Sequence, residues 1–489
     1  MHCTKTFCSF RRMAFVCLAL FGLVKLGNLF LGNWKRGQPR TMVANMGSPP
    51  VETHPHFVRE RHGVIIASHL YEGLFRLGKS DQVLPGLAED FEVSEDRLHY
   101  RFHLRTSYWS NGEPLTAHDF VKSWKAVIEA EHYPSSQAFY FNLIKGVEAF
   151  RSEKASWSDV GLRAEGDHIL CVSLKHPVSY FLQLLCIPIF YPVYCLEEKQ
   201  EDVTNGPFLV ASQKWNDHIS LKKNPFFWDH GHVQMEIIRF IFVDNADSQV
   251  GMLERGDVHF IGGGLFSLSK ESEENMHQTG LLSERYPLAS CYALVFNTKR
   301  GPFRSQKIRK AFSIGINREQ LAKGVFKRAL AAYSYIPSVF PGFESRMLIE
   351  ESKTEAQRLL REGLKELDLS FSDLGQVTLS CWPVTSYVSE AFQQQWLEHL
   401  GIHIKIEVLE ASTLYRRLTE GDFDVSSYSR DTDYFDPYAL FYPFHSSDQD
   451  VNFSGWSPPE VRVMLQKSFF LDKKEREEHL FSLDKDSPF

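Results

Sequence analysis

The sequence predicts an α/β fold large enough for more than one hydrophobic core. At 489 residues the chain exceeds the usual size of one domain, about 100–200 residues. Residues 100–104 alternate apolar and polar side chains, as a half-buried strand does, and residues 117–128 then carry apolar residues at helical spacing. Residues 390–408 repeat this alternation, because a helix is predicted to end at Gly401 immediately before an alternating strand.

The stretch 100–150 predicts a strand, a turn and a helix. Asn111-Gly112 breaks the strand pattern, since both residues tolerate backbone conformations that suit turns. Thr116 stands three residues before Asp119, which is the spacing of a capping box at a helix start. The helical pattern extends from there to residue 150.

Several further elements follow from the same patterns. A hairpin is predicted over residues 158–174, because apolar alternation flanks Glu165-Gly166-Asp167. The remaining predictions are strands at 237–243, 292–296 and 377–382 and an amphipathic helix at 354–367.

The charge distribution separates the amino terminus from the rest. The net charge is −7, yet the first 40 residues contain seven basic residues and no acidic one. The remainder is therefore more acidic than the total indicates, which argues against nucleic acid as a partner. Lys5, Arg11 and Arg12 precede an apolar run at residues 13–24, a pattern typical of an export signal. Residues 1–31 are predicted to be a signal peptide, with an uncleaved membrane anchor as the alternative, and residues 32–50 a linker.

Cysteines do not form a disulfide framework. Five lie beyond the export segment, an odd number without a C-x-x-C pair. Cys186 and Cys195 are candidates for a disulfide, and buried free thiols are the alternative.

Three blocks resemble one bacterial family, the extracytoplasmic solute-binding proteins of peptide ABC transporters. The first is LRTSYWSNGEPLTAHDFVKSW, which ends at Trp124, and the second is NGPFLVASQKWNDHISLKKNPFFWD, which begins at Asn205. The third, CYALVFNTKRGPFRSQKIRKAFSIGINREQL, begins at Cys291. The resemblance covers roughly residues 50–489. One departure is His54, where the family usually has Asp.

The resemblance implies a bilobal periplasmic-binding-protein fold of type II, the Venus-flytrap fold, with an extra subdomain. Lobe I is expected at 51–75 and again at 196–285, with subdomain II inserted at 76–195. Lobe III is expected at 286–489. The family's carboxyl-terminal return to lobe I is not found in this sequence, so an open sheet edge is expected in that lobe.

The resemblance also implies where a peptide binds. In the family's D-Y-x-[DE]-P segment an Asp meets the α-amino group of the peptide, and Asp433 stands at that position, followed by Tyr434. A turn-capping role for Asp433 or Asp436 before Pro437 is the alternative. Tyr434 and Arg430 are expected to bind the peptide together with Asp433, although Arg430 lies where the family has aromatic or small residues. Further groove residues are expected in the family-like segment VETHPHFVRERHG, namely Arg59, Glu60 and Arg61, with solvated loop charge as the alternative.

The function implied is capture of short peptides for a membrane permease, without catalysis. Other cargoes of the wider family stay open: murein peptides, glutathione, nickel complexes and haem. A peptide or cell-wall hydrolase is a weaker alternative, because no H-E-x-x-H, G-x-S-x-G or S-x-x-K motif stands near suitable partners.

No cofactor or metal is expected. The pairs His54-x-His56 and His230-x-His232 lack a Cys partner at finger spacing. The glycines at 262–264 lack the spacing of a phosphate loop. The expected protein is a periplasmic monomer, exported or anchored to the outer face of the cytoplasmic membrane, and its partners are short peptides and ABC permease subunits.

Overall fold

Strands and helices alternate along the chain, as the sequence predicts. The structure, a computed structural model, describes residues 39–58, 60–78, 82–130, 136–194, 203–261, 270–281, 288–326, 329–343, 347–445 and 452–485. The strands are β1 Thr41–Asn45, β2 Phe75–Leu77, β3 Val83–Pro85, β4 Ala88–Val93, β5 His99–Leu104, β6 Ser107–Tyr108, β7 Pro114–Leu115, β8 Leu162–Ala164, β9 Ile169–Ser173, β10 Phe208–Lys214, β11 His218–Lys223, β12 Ile237–Ile241, β13 Ser290–Phe296, β14 Thr378–Cys381, β15 Lys405–Val408 and β16 Val425–Asp431.

The α-helices follow the same order. They are α1 Arg61–Leu70, α2 Ala117–Glu129, α3 Val147–Arg151, α4 Phe181–Leu184, α5 Ala246–Arg255, α6 Lys270–Gln278, α7 Gln306–Ile314, α8 Arg318–Leu321, α9 Lys353–Glu366, α10 Ser386–Leu400, α11 Ala411–Glu420, α12 Tyr438–Phe441, α13 Pro459–Lys467 and α14 Lys473–Lys485. Short 3₁₀ segments connect several of them, including Ser136–Leu143.

The chain forms two compact units. The first comprises the described residues of Met1–Pro49 and Pro207–Ser267. Its four-stranded sheet has the order β1-β12-β11-β10, with β1 parallel to β12 and the other pairs antiparallel. The buried amide of Asn45 fixes the end of β1, because it donates to the carbonyl of Val243 at 3.0 Å and accepts from the Val243 N–H at 2.9 Å.

The second unit comprises the described residues of Pro50–Gly206 and Leu268–Phe489. It contains an antiparallel sheet in the order β4-β5-β9-β8 and a mixed sheet in the order β13-β16-β14-β15. In the mixed sheet β13 runs antiparallel to β16, while β14 runs parallel to both its neighbours.

Two large aromatic side chains mark the packed interior of the second unit. Trp124 of α2 is fully buried, and its indole N–H donates to the carbonyl of Phe190 at 2.8 Å. Trp396 of α10 is also fully buried and donates to the carbonyl of Phe312 at 2.9 Å. Each tryptophan thus fills a core while its polar atom is satisfied, as a buried indole requires.

Two predicted segments are placed differently by the structure. Residues 41–45, predicted to lie in a linker, form β1, in which Met42 and Ala44 pair with apolar residues of β12. Residues 51–75, predicted to belong with 196–285, lie instead in the second unit.

The helix predicted over 117–150 is likewise interrupted. Helix α2 ends at Glu129, and a 3₁₀ segment precedes α3. The sequence contains Pro134, which cannot donate an N–H within a helix, and Gly146 has a positive φ of 83°. The capping box is confirmed at the start of α2, where Asp119 accepts from the Thr116 N–H at 2.7 Å.

Candidate functional site

Asp433 lies in a bend just after β16 and is held by two neutral donors. Its Oδ1 accepts a hydrogen bond from the amide of Gln137 at 2.8 Å, and its Oδ2 accepts one from the hydroxyl of Tyr140 at 2.7 Å. The donors stand 296 and 293 residues earlier in the chain. Asp433 as a whole remains exposed. Because a carboxylate offers about four acceptor positions, two donors orient it and leave room for a charged partner.

Tyr140 is suited to act as a permanent donor. Its ring is buried, and burial raises the pKa of its hydroxyl well above the ordinary value. The negative charge of Asp433 raises that pKa further. The phenol therefore stays protonated across the physiological range and keeps donating to the carboxylate.

Five tyrosines pack around this contact and form what we term the aromatic wall: Tyr140, Tyr180, Tyr434, Tyr438 and Tyr442. Tyr180 stacks on Tyr434 with ring centroids 4.4 Å apart and ring planes 16° apart, and it lies 5.5 Å from Tyr438. Tyr140 lies 5.8 Å from Tyr434 and 5.1 Å from Tyr442. All five side chains are buried, so the wall packs behind the Asp433 contact and supports it.

Asp436, the second acid of the predicted motif, has a structural role. It forms a two-point ion pair with Arg476 of α14 at 2.7 and 2.8 Å, and the two side chains are only 14% and 12% exposed. Asp436 also accepts from the backbone N–H of Tyr438 at 2.9 Å. The turn-capping alternative is therefore confirmed for Asp436. Arg476 in addition lies over the ring of Tyr180 at 5.8 Å, so the pair braces the aromatic wall.

Arg430 is the penultimate residue of β16 and is partly buried. Burial alone would lower the pKa of its guanidinium, but the neighbouring groups raise it above the ordinary value. Those neighbours are three tyrosines and one carboxylate, namely Tyr428, Tyr335, Tyr140 and Asp433. A permanent cation therefore lies beside the Tyr140–Asp433 contact.

Of the three other predicted groove residues, the two that the structure describes have partners of their own. Arg59 is outside the described residues. Glu60 precedes α1, and its carboxylate accepts from the backbone N–H of Gly63 at 2.8 Å, so it caps that helix. Arg61 forms an exposed ion pair with Asp431 at 2.8 Å. Of the six predicted residues, the structure thus brings Asp433, Tyr434 and Arg430 together.

Gln137, Tyr140, Tyr180 and Arg476 were not predicted as site residues. Tyr180 lies in a family-like Pro-x-x-Tyr-Phe segment, which is the one sequence signal that pointed near the site. The other three stand in stretches without a motif and are identified only by the fold.

A separate cavity of about 300 Å³ shares no lining residue with this site. Its charged groups are paired with each other: Arg300 with Asp422 at 2.6 Å, and Arg417 with Glu407 at 2.6 Å. These ion pairs connect the ends of β14, β15 and β16 to neighbouring loops, so the charged groups of the cavity have a structural role.

The candidate histidines and cysteines take other roles. Within the described ranges no group of three or more His, Cys, Asp or Glu side chains could hold a metal ion. His56 is buried against the carbonyl of Tyr191 at 2.9 Å, and burial lowers its pKa to about 3. Cys186 is a buried free thiol whose pKa burial raises to about 12, while Cys195 lies outside the described residues. The glycines at 262–264 also lie outside them.

In the part of the chain that the structure covers, no helix is both long and apolar enough to cross a membrane.

Comparison with curated proteins finds relatives along most of the chain. The chain is 28% identical to the oligopeptide-binding protein OppA of Bacillus subtilis over 484 residues, which cover 94% of this chain and 88% of that protein. It is 29% identical to the dipeptide-binding protein DppE of the same organism over 423 residues, which cover 82% of this chain and 76% of that protein.

Among solved structures, the complex of Haemophilus influenzae OppA with the peptide RPPGFSPFR superposes with a TM-score of 0.79. The match covers 93% of this chain and 92% of that one at 22% identity, so it demonstrates the fold. The prediction of a type II, bilobal periplasmic-binding-protein fold is confirmed by this similarity. Residues 82–452 match the family described as bacterial extracellular solute-binding proteins, family 5 Middle. The chain therefore belongs to the bacterial extracellular solute-binding proteins of family 5.

Proposed function

We propose that this chain is the extracytoplasmic substrate-binding component of a peptide ABC importer. It captures short peptides and delivers them to permease subunits in the cytoplasmic membrane, which carry out transport. The names of two relatives support this class of ligand, since one is an oligopeptide-binding and one a dipeptide-binding protein. The bound peptide in the H. influenzae homologue supports it further. The chain works outside the cytoplasm, in the periplasm or held at the outer face of the membrane, as a binder and not as an enzyme.

The observation that carries the proposal is the Asp433 carboxylate. Gln137 and Tyr140 fix its orientation, and it keeps acceptor positions for a cation. A peptide's α-ammonium group is a compact cation with three donors, so it suits such a site. Charge-assisted hydrogen bonds of this kind are about twice as strong as neutral ones. Asp433 therefore binds the amino terminus, and Tyr434 with the rest of the buried aromatic wall supports that contact from behind.

A requirement for a free amino group would make the Asp433 site selective among the possible ligands. Murein peptides and glutathione carry a free amino group, whereas haem and a metal chelate need not. The Asp433 carboxylate accordingly favours ligands with a free amino terminus. Binding of a peptide but not of its N-acetylated form is the expected behaviour.

The test compares Asp433→Asn with the unaltered protein by isothermal titration calorimetry against tetra-alanine. The substitution keeps shape and removes the charge, so affinity should fall by about 10- to 100-fold, the effect of one hydrogen bond to a charged group. Asp431→Asn is the matched control, because that carboxylate stands two residues away, is 55% exposed and is already paired with Arg61. An exposed ion pair contributes little, and the control should bind almost normally. Equal affinity of the Asp433→Asn variant would contradict the assignment.

A further inference from the structure

Arg430 differs from the other cations around the Asp433 site. Arg476 is paired with Asp436, and Arg61 is paired with Asp431. The structure gives the guanidinium of Arg430 no ion pair with any described residue, and its Nε is buried without a hydrogen-bond partner. Two neighbouring arginines thus have carboxylates of their own, and the third does not.

The backbone of Arg430 is fixed by the sheet. It pairs with Cys291 of β13, and the side chain extends from that fixed point. Its side chain is near Tyr140 and Asp433, which are themselves hydrogen-bonded to each other. The unpaired cation is therefore held beside the group that the proposed function assigns to the peptide's amino terminus.

The charges at this site do not balance when a simple peptide binds. Arg430 and Asp433 together are neutral, and Gln137 and Tyr140 are neutral donors. An incoming α-ammonium adds one positive charge beside the guanidinium of Arg430. Two neighbouring positive charges repel each other, and a second anion would restore the balance. A carboxylate is the anion that a guanidinium binds best, through two parallel hydrogen bonds.

We infer that Arg430 makes this site selective for peptides with a carboxylate close to their amino terminus. The inference rests on the proposed function and specifies its ligands. An extended chain spans about 3.3–3.6 Å per residue, so the carboxylate belongs to the first or second residue. It is either an Asp or Glu side chain or the terminal carboxylate of a dipeptide.

The first arm of the test needs no variant. Calorimetry with the unaltered protein compares Ala-Glu-Ala-Ala, Ala-Ala-Ala-Ala and Ala-Lys-Ala-Ala. The glutamate peptide should bind about 10-fold more tightly than tetra-alanine, and the lysine peptide more weakly than either. A comparison of Ala-Ala with Ala-Ala-amide then distinguishes the two sources of the carboxylate. Tighter binding of Ala-Ala would show that Arg430 binds the terminal carboxylate of a dipeptide. A preference seen only with the longer glutamate peptide would show that it binds the side-chain carboxylate.

The second arm removes the cation. In Arg430→Gln the preference for the glutamate peptide over tetra-alanine should disappear, and Arg430→Lys should keep part of that preference. Arg416→Gln is the control, because it removes an exposed arginine of α11 that is 60% accessible and pairs with Glu420. It should leave the preference unchanged.

Two results would overturn the inference. Equal affinity of the unaltered protein for the glutamate and alanine peptides would do so, as would an undiminished preference in a folded Arg430→Gln variant. Both leave the proposed function intact, since peptides still bind. Failure to bind any of the peptides would contradict the proposed function itself and remove the basis of the inference.

Discussion

The ion pair between Asp436 and Arg476 gives the sharpest stability prediction. It joins the segment after β16 to α14, and both side chains are almost completely buried. Arg476→Met removes the cation and keeps an apolar stem of similar length. Asp436 is then left as a buried carboxylate whose remaining contact is the backbone N–H of Tyr438.

The expected loss can be worked out from these contacts. Two hydrogen bonds at 2.7 and 2.8 Å connect charged groups, and each such bond contributes about 1.5–3 kcal/mol. Breaking a buried pair by removing one partner typically costs about 3–5 kcal/mol, because the other charge stays buried without compensation. We therefore expect Arg476→Met to lower the local unfolding free energy of α12 and α14 by about 3–5 kcal/mol.

Native-state hydrogen exchange measures this directly, because it reports local opening free energies without assuming that the two units unfold together. The double variant Asp436→Asn/Arg476→Met completes a cycle and should recover part of the loss, since no unpaired charge remains. Arg462→Met removes a cation of α13 for which the structure records no ion pair and should have little effect. A loss below about 1 kcal/mol in Arg476→Met, or additive effects in the cycle, would refute the reasoning.

Three further changes test other contacts. Gly63→Ala should destabilise by about 1–3 kcal/mol in urea unfolding, because a Cβ there would overlap the backbone oxygen of Glu52, whereas Gly231→Ala, with open space around it, should not. Burial lowers the pKa of His56 to about 3. The unfolded chain therefore binds a proton at His56 near pH 6.5, whereas the folded chain stays neutral there until about pH 3. Stability should fall by up to about 1.4 kcal/mol per pH unit below pH 6.5, and His56→Gln should reduce that slope. Burial raises the pKa of Asp484 to about 6, so the folded state holds its proton more tightly than the unfolded state. The stability that this proton contributes is complete below pH 4 and is lost as pH rises to 6. Asp484→Asn should therefore become more stable relative to the unaltered protein as pH rises from 4 to 7. A stability difference between Asp484→Asn and the unaltered protein that is the same at pH 4 and pH 7 would contradict the last expectation.

Local patterns predicted local structure well. The capping box at Thr116, the hairpin of β8 and β9, and the helix that ends at Gly401 each depend on residues within a few positions of one another. The predicted helix over 117–150 is too long, because apolar periodicity continues in the sequence through residues that interrupt a helix. Residues 41–45 read as a linker because a short edge strand surrounded by Gly and Pro has little signal of its own.

The candidate site was predictable only in part. Asp433, Tyr434 and Arg430 are adjacent in sequence and belong to one motif, so a resemblance could identify them. The donors Gln137 and Tyr140 come from a segment nearly 300 residues away, and no spacing rule connects them to Asp433. Glu60 illustrates the opposite error, since a charged residue near an expected groove is the N-cap of a helix.

Native mass spectrometry of the purified protein, before any ligand is added, tests the central claim most directly. The account predicts a population heavier than the bare chain, and the added mass should resolve into short peptides with free amino termini. It further predicts that acidic residues are enriched at the first two positions of those peptides. A protein that carries nothing, and that also gives no heat with a mixed peptide pool, would contradict the peptide-binding account.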